Sequence, residues 1–219
     1  MDRAKYKEKA KKLIEGKKWY LLKPIVMYNV TVFVGLFIIL FLIGLPIGLI
    51  GGTDTMNTSL GIIGGIFGCI VSFVEITFMF GYAKYCLDFV RGKDNQDWKN
   101  PINYIKGNFK KTVIVSLLFS LMVFGGTILL VIPGIIITIG HMFIQEVYVD
   151  NSKLEAKEII SKSWALTKGH KMDLFVLSLS FLGWMILVPF TLCILLIWLV
   201  PYMNITFALV YEDYKKEAK

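Results

Sequence analysis

Residues 151–214 read NSKLEAKEIISKSWALTKGHKMDLFVLSLSFLGWMILVPFTLCILLIWLVPYMNITFALVYEDY, and this stretch decides the fold. It begins with a charged segment, turns at Gly169 and continues into 38 residues, 174–211, that carry no charge. Pro189 interrupts the apolar run near its midpoint. Because a helix needs about 20 apolar residues to cross a bilayer, the run predicts two short membrane-spanning helices that meet at Pro189.

The charged segment predicts an amphipathic helix that lies on the membrane surface. Ser152 and Glu155 have the spacing of a capping box, in which each side chain satisfies a free backbone N–H group of the other residue. Apolar residues follow at helical spacing, with lysines on the opposite face. Gly169 ends the helix, because glycine can adopt the positive φ that turns the chain into the membrane.

The whole chain is too apolar for a soluble domain. Its 219 residues are 56% hydrophobic and 18% charged, whereas soluble proteins average about 45–50% and 25%. The net charge is +8, and the basic residues flank the apolar runs instead of forming one patch. This distribution predicts anionic membrane lipid as the partner and argues against nucleic acid.

Two earlier segments repeat the plan of a basic helix, a glycine and an apolar run. Residues 1–23 hold nine Lys/Arg and turn at Gly16, and residues 91–111 hold six and turn at Gly107. The alternative for the first segment is a solvated basic tail. We expect Gly16, Gly107 and Gly169 to be the corners between surface helices and membrane spans.

The first apolar region predicts one hairpin of two spans. Residues 25–50 contain no charge, and Pro46 indicates a kink or the hairpin turn near their end. Residues 59–90 form the second span, whose departures from apolarity are Glu75, Lys84 and Asp88.

The second apolar region predicts another hairpin. Residues 112–145 contain neither an acid nor a lysine, and Pro133-Gly134 interrupts them in the middle. Proline and glycine favour a turn where the chain leaves lipid, so we expect two short spans on either side of this pair.

The fold class that follows is all-α, as a single membrane domain of six spans in three hairpins. The hairpin units cover residues 1–90, 91–150 and 151–219. The four basic segments hold nine, six, five and three Lys/Arg, and the three intervening turns hold none. By the positive-inside rule, both termini are cytoplasmic, and a reporter near Thr53 or at Pro133 is external. In the alternative with four spans, residues 134–149 or 190–211 only dip into the membrane.

Several motifs in the second half of the chain together resemble a known family. They are VIPGII at 131–136, EAKEIISKSW at 155–164, KGHK at 168–171, FLGW at 181–184, LVPY at 199–202 and ALVYED at 208–213. The set resembles the bacterial integral membrane proteins of unknown-function family 975. The resemblance implies a six-span protein of the bacterial cytoplasmic membrane, and it implies no activity and no cofactor.

One group of polar residues suggests chemistry inside the membrane. Glu75 lies near the middle of its span, where a charged carboxylate is costly. His141, Gln145 and Glu146 of span four could complete a proton or cation site with it. The alternative is that Glu75 is protonated or hydrogen-bonded to a neighbouring helix, and that Gln145 and Glu146 mark the membrane boundary. Two histidines 29 residues apart do not suggest a metal site, and no catalytic motif is present.

These features predict a non-enzymatic membrane protein that engages lipid or a membrane-active peptide, in envelope maintenance or self-protection. The expected contacts with lipid headgroups are the lysines that flank the spans, namely Lys17, Lys18, Lys110, Lys111, Lys168 and Lys171. Further candidate partners are another membrane protein or a second copy of the chain. The alternative function is a small transporter or channel that uses Glu75 and span four.

Overall fold

The computed structural model describes residues 2–50, 53–93, 97–129, 131–191 and 195–218, which form helices and short turns without a β-strand. The helices are α1 (Arg3–Ile14), α2 (Lys18–Ile50), α3 (Thr53–Val90), α4 (Asn100–Gly107), α5 (Phe109–Leu129), α6 (Val131–Gly140), α7 (Ile144–Asp150), α8 (Ala156–Thr167), α9 (Lys171–Ile186) and α10 (Leu196–Glu217). The all-helical prediction is confirmed over this part of the chain.

Four stretches of the described chain are long and apolar enough to cross a membrane. They are Lys18–Ile39 in α2, Gly68–Val90 in α3, Phe109–Ile128 in α5 and Ile132–Asp150 across α6 and α7. No stretch of the described residues after Asp150 meets the same limits. The helix α9 has only 16 residues, and α10 has 22 but ends in the polar sequence YEDYKKE. The chain is therefore compatible with a membrane, and the fifth and sixth predicted spans are not confirmed.

The first hairpin turn is not at Pro46. The helix α2 continues through Pro46 to Ile50, and α3 already begins at Thr53. Residues 51–52 lie outside the described residues. A proline removes one backbone hydrogen bond from a helix, and in lipid the chain has no water to replace the remaining bonds. A helix that runs through Pro46 keeps the other backbone hydrogen bonds that a break at this residue would leave open.

The second hairpin turn also lies a few residues from its predicted place. Pro133 and Gly134 are in the first turn of α6, where a proline needs no N–H partner. The helices α5 and α6 are separated by residue 130, which is not described. A Cβ atom on Gly134 would lie 3.1 Å from the Cα of Thr127, so this glycine allows the two helices to approach closely. Pro189, in contrast, begins a 3₁₀ turn, Pro189–Thr191, that follows α9.

The capping box of α8 lies three residues later than predicted. The N-cap is Glu155, and its backbone N–H donates to the carboxylate of Glu158 over 2.9 Å. Ser152 lies before the helix, in a turn closed by a bond of 3.0 Å from the Leu154 N–H to the Asn151 carbonyl. The Ser152 carbonyl accepts from the Lys111 ammonium, which holds this turn against the start of α5.

Buried side chains are concentrated near the ends of the helices that carry the basic segments, which we call the lysine end. On α3 the buried residues run from Thr77 to Leu87, and on α10 from Leu199 to Tyr214. Farther along the helices, large apolar side chains are at least 65% exposed, namely Phe33, Phe37, Leu42, Phe124, Ile128, Ile132 and Phe190. A continuous apolar surface of this kind is typical of protein that faces lipid.

The spacing of Tyr6, Ala10, Leu13 and Ile14 predicts an apolar stripe on α1 that faces lipid headgroups, but the helix packs on protein. Ala10 and Ile14 are 0% and 1% exposed, and α1 lies against α10. The Lys7 ammonium lies 4.5 Å from the centre of the Phe181 ring in α9. The interior of the lysine end offers a larger apolar surface than the headgroup layer does, so burial of the stripe in the core is favoured. A solvated tail is likewise inconsistent with this packing.

A cluster of charged side chains joins the ends of α3, α7 and α10. The Arg91 guanidinium donates two hydrogen bonds to Asp150, over 2.8 and 2.7 Å, and its Nε donates to Glu212 over 2.8 Å. Asp150 also accepts from the Lys215 ammonium over 2.5 Å and from the Tyr211 hydroxyl over 3.0 Å. The hydrogen bonds to Asp150 raise the pKa of Arg91 above its usual value. Two positive and two negative charges therefore balance at the junction of three helices.

Candidate functional site

The predicted intramembrane residues have different neighbours in the structure. Glu75 is half-buried on α3, within electrostatic range of Tyr28 on α2. The Tyr28 ring stacks on Phe78 with 3.8 Å between the ring centres, and its buried hydroxyl has no hydrogen-bond partner among the described residues. The Glu75 carboxylate thus lies near an unsatisfied hydroxyl in the interface between α2 and α3.

His141 lies in a turn that separates α6 from α7 inside the fourth candidate span. Its ring is 3% exposed and lies 5.2 Å from the Trp164 ring of α8 and 6.4 Å from the Phe119 ring of α5. The His141 Nδ1 atom has no hydrogen-bond partner in the described part of the chain. The Lys171 ammonium also lies against Trp164, 3.0 Å from the ring centre.

Glu146 has neighbours on α3 and α10, whereas His141 has neighbours on α5 and α8. Glu146 is 8% exposed and lies within electrostatic range of Cys86 and Tyr211. Its Oε2 atom has no partner among the described residues, and Gln145 beside it is half-buried. The contacts of Glu75, His141 and Glu146 therefore belong to three separate interfaces between helices. The described residues contain no group of three His, Cys, Asp or Glu side chains placed to hold a metal.

Two of the three predicted corner glycines have the positive φ that such a turn requires. Gly16 follows α1 with a φ of 75°, and Gly169 follows α8 with a φ of 89°. Gly107 differs because it is the last residue of α4 and its φ is not positive. There the chain turns at Asn108, with a φ of −126°, directly into α5. The other described glycine with positive φ is Gly92, which follows α3.

The surface of the lysine end contains a groove bordered by four lysines, which we call the lysine groove. Lys110 and Lys111 come from the first turn of α5, and Lys153 and Lys157 come from the turn before α8 and from its first turn. The groove has a volume of about 550 Å³. Its other lining residues are Ile114, Leu118, Leu154, Glu155 and Ala156. The groove thus combines an apolar floor with a positively charged rim.

Hydrogen bonds between α5 and the chain before α8 hold the two sides of the lysine groove together. The Lys111 ammonium donates to the Ser152 carbonyl, and the Thr112 hydroxyl lies 2.7 Å from the hydroxyl of Tyr148 in α7. The Lys162 ammonium donates to Asn151 over 2.7 Å. These bonds fix the turn at residues 151–154 beside the start of α5, so four lysines from distant parts of the sequence border one groove.

A second groove, which we call the aromatic groove, lies between the start of α2 and the end of α3. It has a volume of about 490 Å³ and is lined by Leu13, Gly16, Lys17, Trp19, Tyr20, Phe89, Val90, Gly92 and Lys93. Its two lysines are engaged, since Lys93 pairs with Asp88 over 2.7 Å and the Lys17 ammonium lies 5.7 Å from the centre of the Phe89 ring. The aromatic groove therefore offers less free positive charge than the lysine groove.

The predicted headgroup lysines are distributed over these features. Lys17 lines the aromatic groove, Lys110 and Lys111 line the lysine groove, and Lys18 and Lys168 are exposed. Sequence reasoning did not select Lys153 and Lys157. Their proximity to a capped helix start and to apolar residues was visible in the sequence, but their proximity to α5 depends on tertiary packing.

Residues 123–218 match the model of a family described as protein of unknown function (DUF975). The match begins in α5 and continues through α10, which is less than half of the chain. The resemblance inferred from the sequence motifs is confirmed over this range. No curated protein and no solved structure matched the chain.

Proposed function

We propose that this chain is a non-enzymatic protein of the bacterial cytoplasmic membrane that engages anionic lipid through its lysine end. The family match assigns no activity. A membrane-active peptide is the other ligand that an amphipathic surface of this kind accepts, and envelope maintenance or self-protection is the role that fits either ligand. The lysine groove favours lipid, because anionic lipid presents negative charge beside apolar chains.

The observation that supports this proposal is that an apolar surface and a basic surface follow each other along the helices. Exposed apolar side chains such as Phe37 and Phe124 cover the spans, and free lysines border a groove where the spans begin. Each Lys or Arg near an anionic membrane surface contributes about 1 kcal/mol of attraction. A protein with this surface fits hydrocarbon along its spans and anionic headgroups at the lysine end.

We further propose that the chain crosses the membrane six times as three hairpins, with both termini cytoplasmic. The supporting observation for the third hairpin is the packing of α9 against α10. The Phe181 ring lies 5.4 Å from Tyr202, and the Trp184 ring lies 5.8 Å from Trp198. The 16 residues of α9 reach about 24 Å at 1.5 Å per residue, so this hairpin requires local thinning of the bilayer.

The test of lipid engagement uses the purified full-length chain in nanodiscs that contain zwitterionic phosphatidylcholine with a minor fraction of phosphatidylglycerol. Native mass spectrometry after release from the disc counts the lipids that remain bound. We expect phosphatidylglycerol to be retained in preference to phosphatidylcholine, and the preference to fall as the salt concentration rises, because salt screens exposed charges. Equal retention of the two lipids at low salt contradicts the proposal.

A small transporter or channel is the second candidate function. The observation that favours it is the position of Glu75 in a candidate span, within electrostatic range of the buried and unsatisfied Tyr28 hydroxyl. In liposomes with an internal pH dye, this function predicts proton flux that Glu75→Gln abolishes. The exposed Glu217→Gln is the matched control, and it leaves the flux unchanged. If liposomes that contain the wild-type protein are no more permeable to protons than protein-free liposomes, proton transport is excluded.

A further inference from the structure

The lysine groove adjoins an apolar pocket between α5, α6 and α8, which we call the tail pocket. Its lining residues are Met122, Ile137, His141, Lys157, Ile160, Ser161 and Trp164, and its volume is about 380 Å³. Lys157 lines both cavities. On α5, Leu118 lines the groove and Met122, one helical turn further on, lines the pocket. The two cavities therefore adjoin at Lys157 and along α5, and we call the pair the crevice, with a charged part and an apolar part.

The charged part of the crevice has an excess of free ammonium groups. Lys111 donates to the Ser152 carbonyl, but Lys110, Lys153 and Lys157 have no hydrogen bond or ion pair within the described chain. The carboxylate that lines the groove belongs to Glu155. Four positive charges against one negative charge leave a net charge of +3 among the residues that line the groove.

We propose that this crevice binds one phospholipid whose headgroup carries two negative charges, with its phosphate between Lys110, Lys153 and Lys157 and an acyl chain between Met122 and Trp164. The inference rests on the proposed function, because it requires the lysine end to lie at a membrane surface. A phosphomonoester carries about −1.5 to −2 charges at pH 7, whereas a phosphodiester carries one charge. The headgroup with two charges matches the free lysines more closely.

The apolar part of the crevice indicates a lipid as the source of the phosphate. The groove floor at Ile114 and Leu118 is continuous with Leu117, Leu121 and Phe124, which are 49%, 58% and 65% exposed along α5. A soluble phosphate ester would leave this floor and the tail pocket uncovered. A membrane lipid covers both, because its chains lie beside α5 while its headgroup contacts the lysines.

The test compares phosphatidic acid with phosphatidylglycerol as minor components of phosphatidylcholine nanodiscs that hold the full-length chain. The groove variant is Lys153→Gln/Lys157→Gln, and the matched control is Lys9→Gln/Lys106→Gln, which removes the same charge from exposed positions on α1 and α4. Native mass spectrometry gives the preference for phosphatidic acid. We expect a loss of about thirtyfold in the affinity of the groove variant for this lipid, and little change in the control. Lys110→Gln alone, on the other side of the groove, lowers the affinity about fivefold.

A second measurement tests the tail pocket. Phosphatidic acid with brominated acyl chains quenches the fluorescence of nearby tryptophans. The difference in quenching between the wild-type protein and Trp164→Phe gives the contribution of Trp164. We expect this contribution to be absent in the groove variant. Glycerol phosphate is added as a competitor, and it should not displace the lipid.

The outcomes separate this inference from the proposed function. Equal losses in the groove variant and the control, or displacement of the lipid by glycerol phosphate, overturn the crevice as a lipid site. The wild-type protein could prefer phosphatidylglycerol over phosphatidylcholine and show no further preference for phosphatidic acid. This result overturns only the assignment of a headgroup with two negative charges. Wild-type protein that prefers neither anionic lipid overturns the proposed function itself.

Discussion

Replacement of Arg91 by alanine should destabilise the junction of α3, α7 and α10 more than any loss of a single exposed charge. The Arg91 side chain is 27% exposed, and its partners Asp150 and Glu212 are 10% and 20% exposed. After the substitution, Asp150 keeps Lys215 as a partner, whereas Glu212 loses the guanidinium that donates to it. The cost therefore arises mainly from a partly buried carboxylate without a counter-charge.

The magnitude lies between the values for exposed and buried ion pairs. Removing one partner of a fully buried pair costs about 3–5 kcal/mol, and an exposed pair contributes about 0–1 kcal/mol. Because the Arg91 cluster is partly exposed and Lys215 remains, we expect Arg91→Ala to lower the free energy of unfolding by about 2–3 kcal/mol. For a chain of this length, that corresponds to a decrease in melting temperature of about 5–10 °C.

The assay is thermal unfolding of the purified protein in a mild detergent, followed by circular dichroism. The matched control is Lys93→Ala, since Lys93 is 60% exposed and pairs with Asp88. Lys93→Ala should lower the free energy of unfolding by less than about 1 kcal/mol. Adding Glu212→Gln to Arg91→Ala should raise the free energy of unfolding again by about 1 kcal/mol, because it removes the carboxylate that has lost its counter-charge. Equal melting temperatures for Arg91→Ala and Lys93→Ala refute the reasoning.

The remaining predictions concern glycines and topology. Gly140→Ala should lower the free energy of unfolding by about 1–3 kcal/mol in the same assay, because its Cβ would overlap a tryptophan ring of α8, whereas Gly125→Ala meets nothing within 4 Å and should be neutral. Gly169→Ala should lower the free energy of unfolding by about 1–2 kcal/mol, because Gly169 has a φ of 89° that alanine adopts only with strain. Gly107 is in helical conformation, so Gly107→Ala should not lower it. Equal melting temperatures for these two variants contradict the role of Gly169 as a strained corner. A reporter inserted at Pro189 should be external, and a cytoplasmic signal there indicates that α9 and α10 do not cross the membrane.

Local sequence patterns predicted the helices well, because apolar length and basic flanks are properties of consecutive residues. The break at His141 was missed. Gly140, the residue before it, packs against the ring of Trp164, which lies 24 positions further along the chain and leaves no local pattern. The pairing of Arg91 with Asp150 has a similar origin, because residues separated by 59 positions leave no periodic signal.

The candidate site shows the same division between local and tertiary information. The sequence identified Lys110 and Lys111 as headgroup contacts because they precede a span. It did not identify Lys153 and Lys157 as part of the same groove, because their position beside α5 comes from tertiary contacts such as the hydrogen bond from Lys111 to Ser152. Charge and apolar length are read directly from a sequence, whereas the meeting of two segments depends on packing.

The hydrogen bond from the Thr167 hydroxyl to the Gly140 carbonyl has a consequence for the synthesis of this protein. The bond is 2.8 Å long, is buried and connects residues 27 positions apart. The ribosome synthesises the Gly140 carbonyl, at the end of α6, before it synthesises the Thr167 hydroxyl that donates to it. The Gly140 carbonyl therefore lacks this donor until α8 has been translated, and we expect membrane proteases to cleave a nascent chain that ends before Thr167 faster than one that includes Thr167.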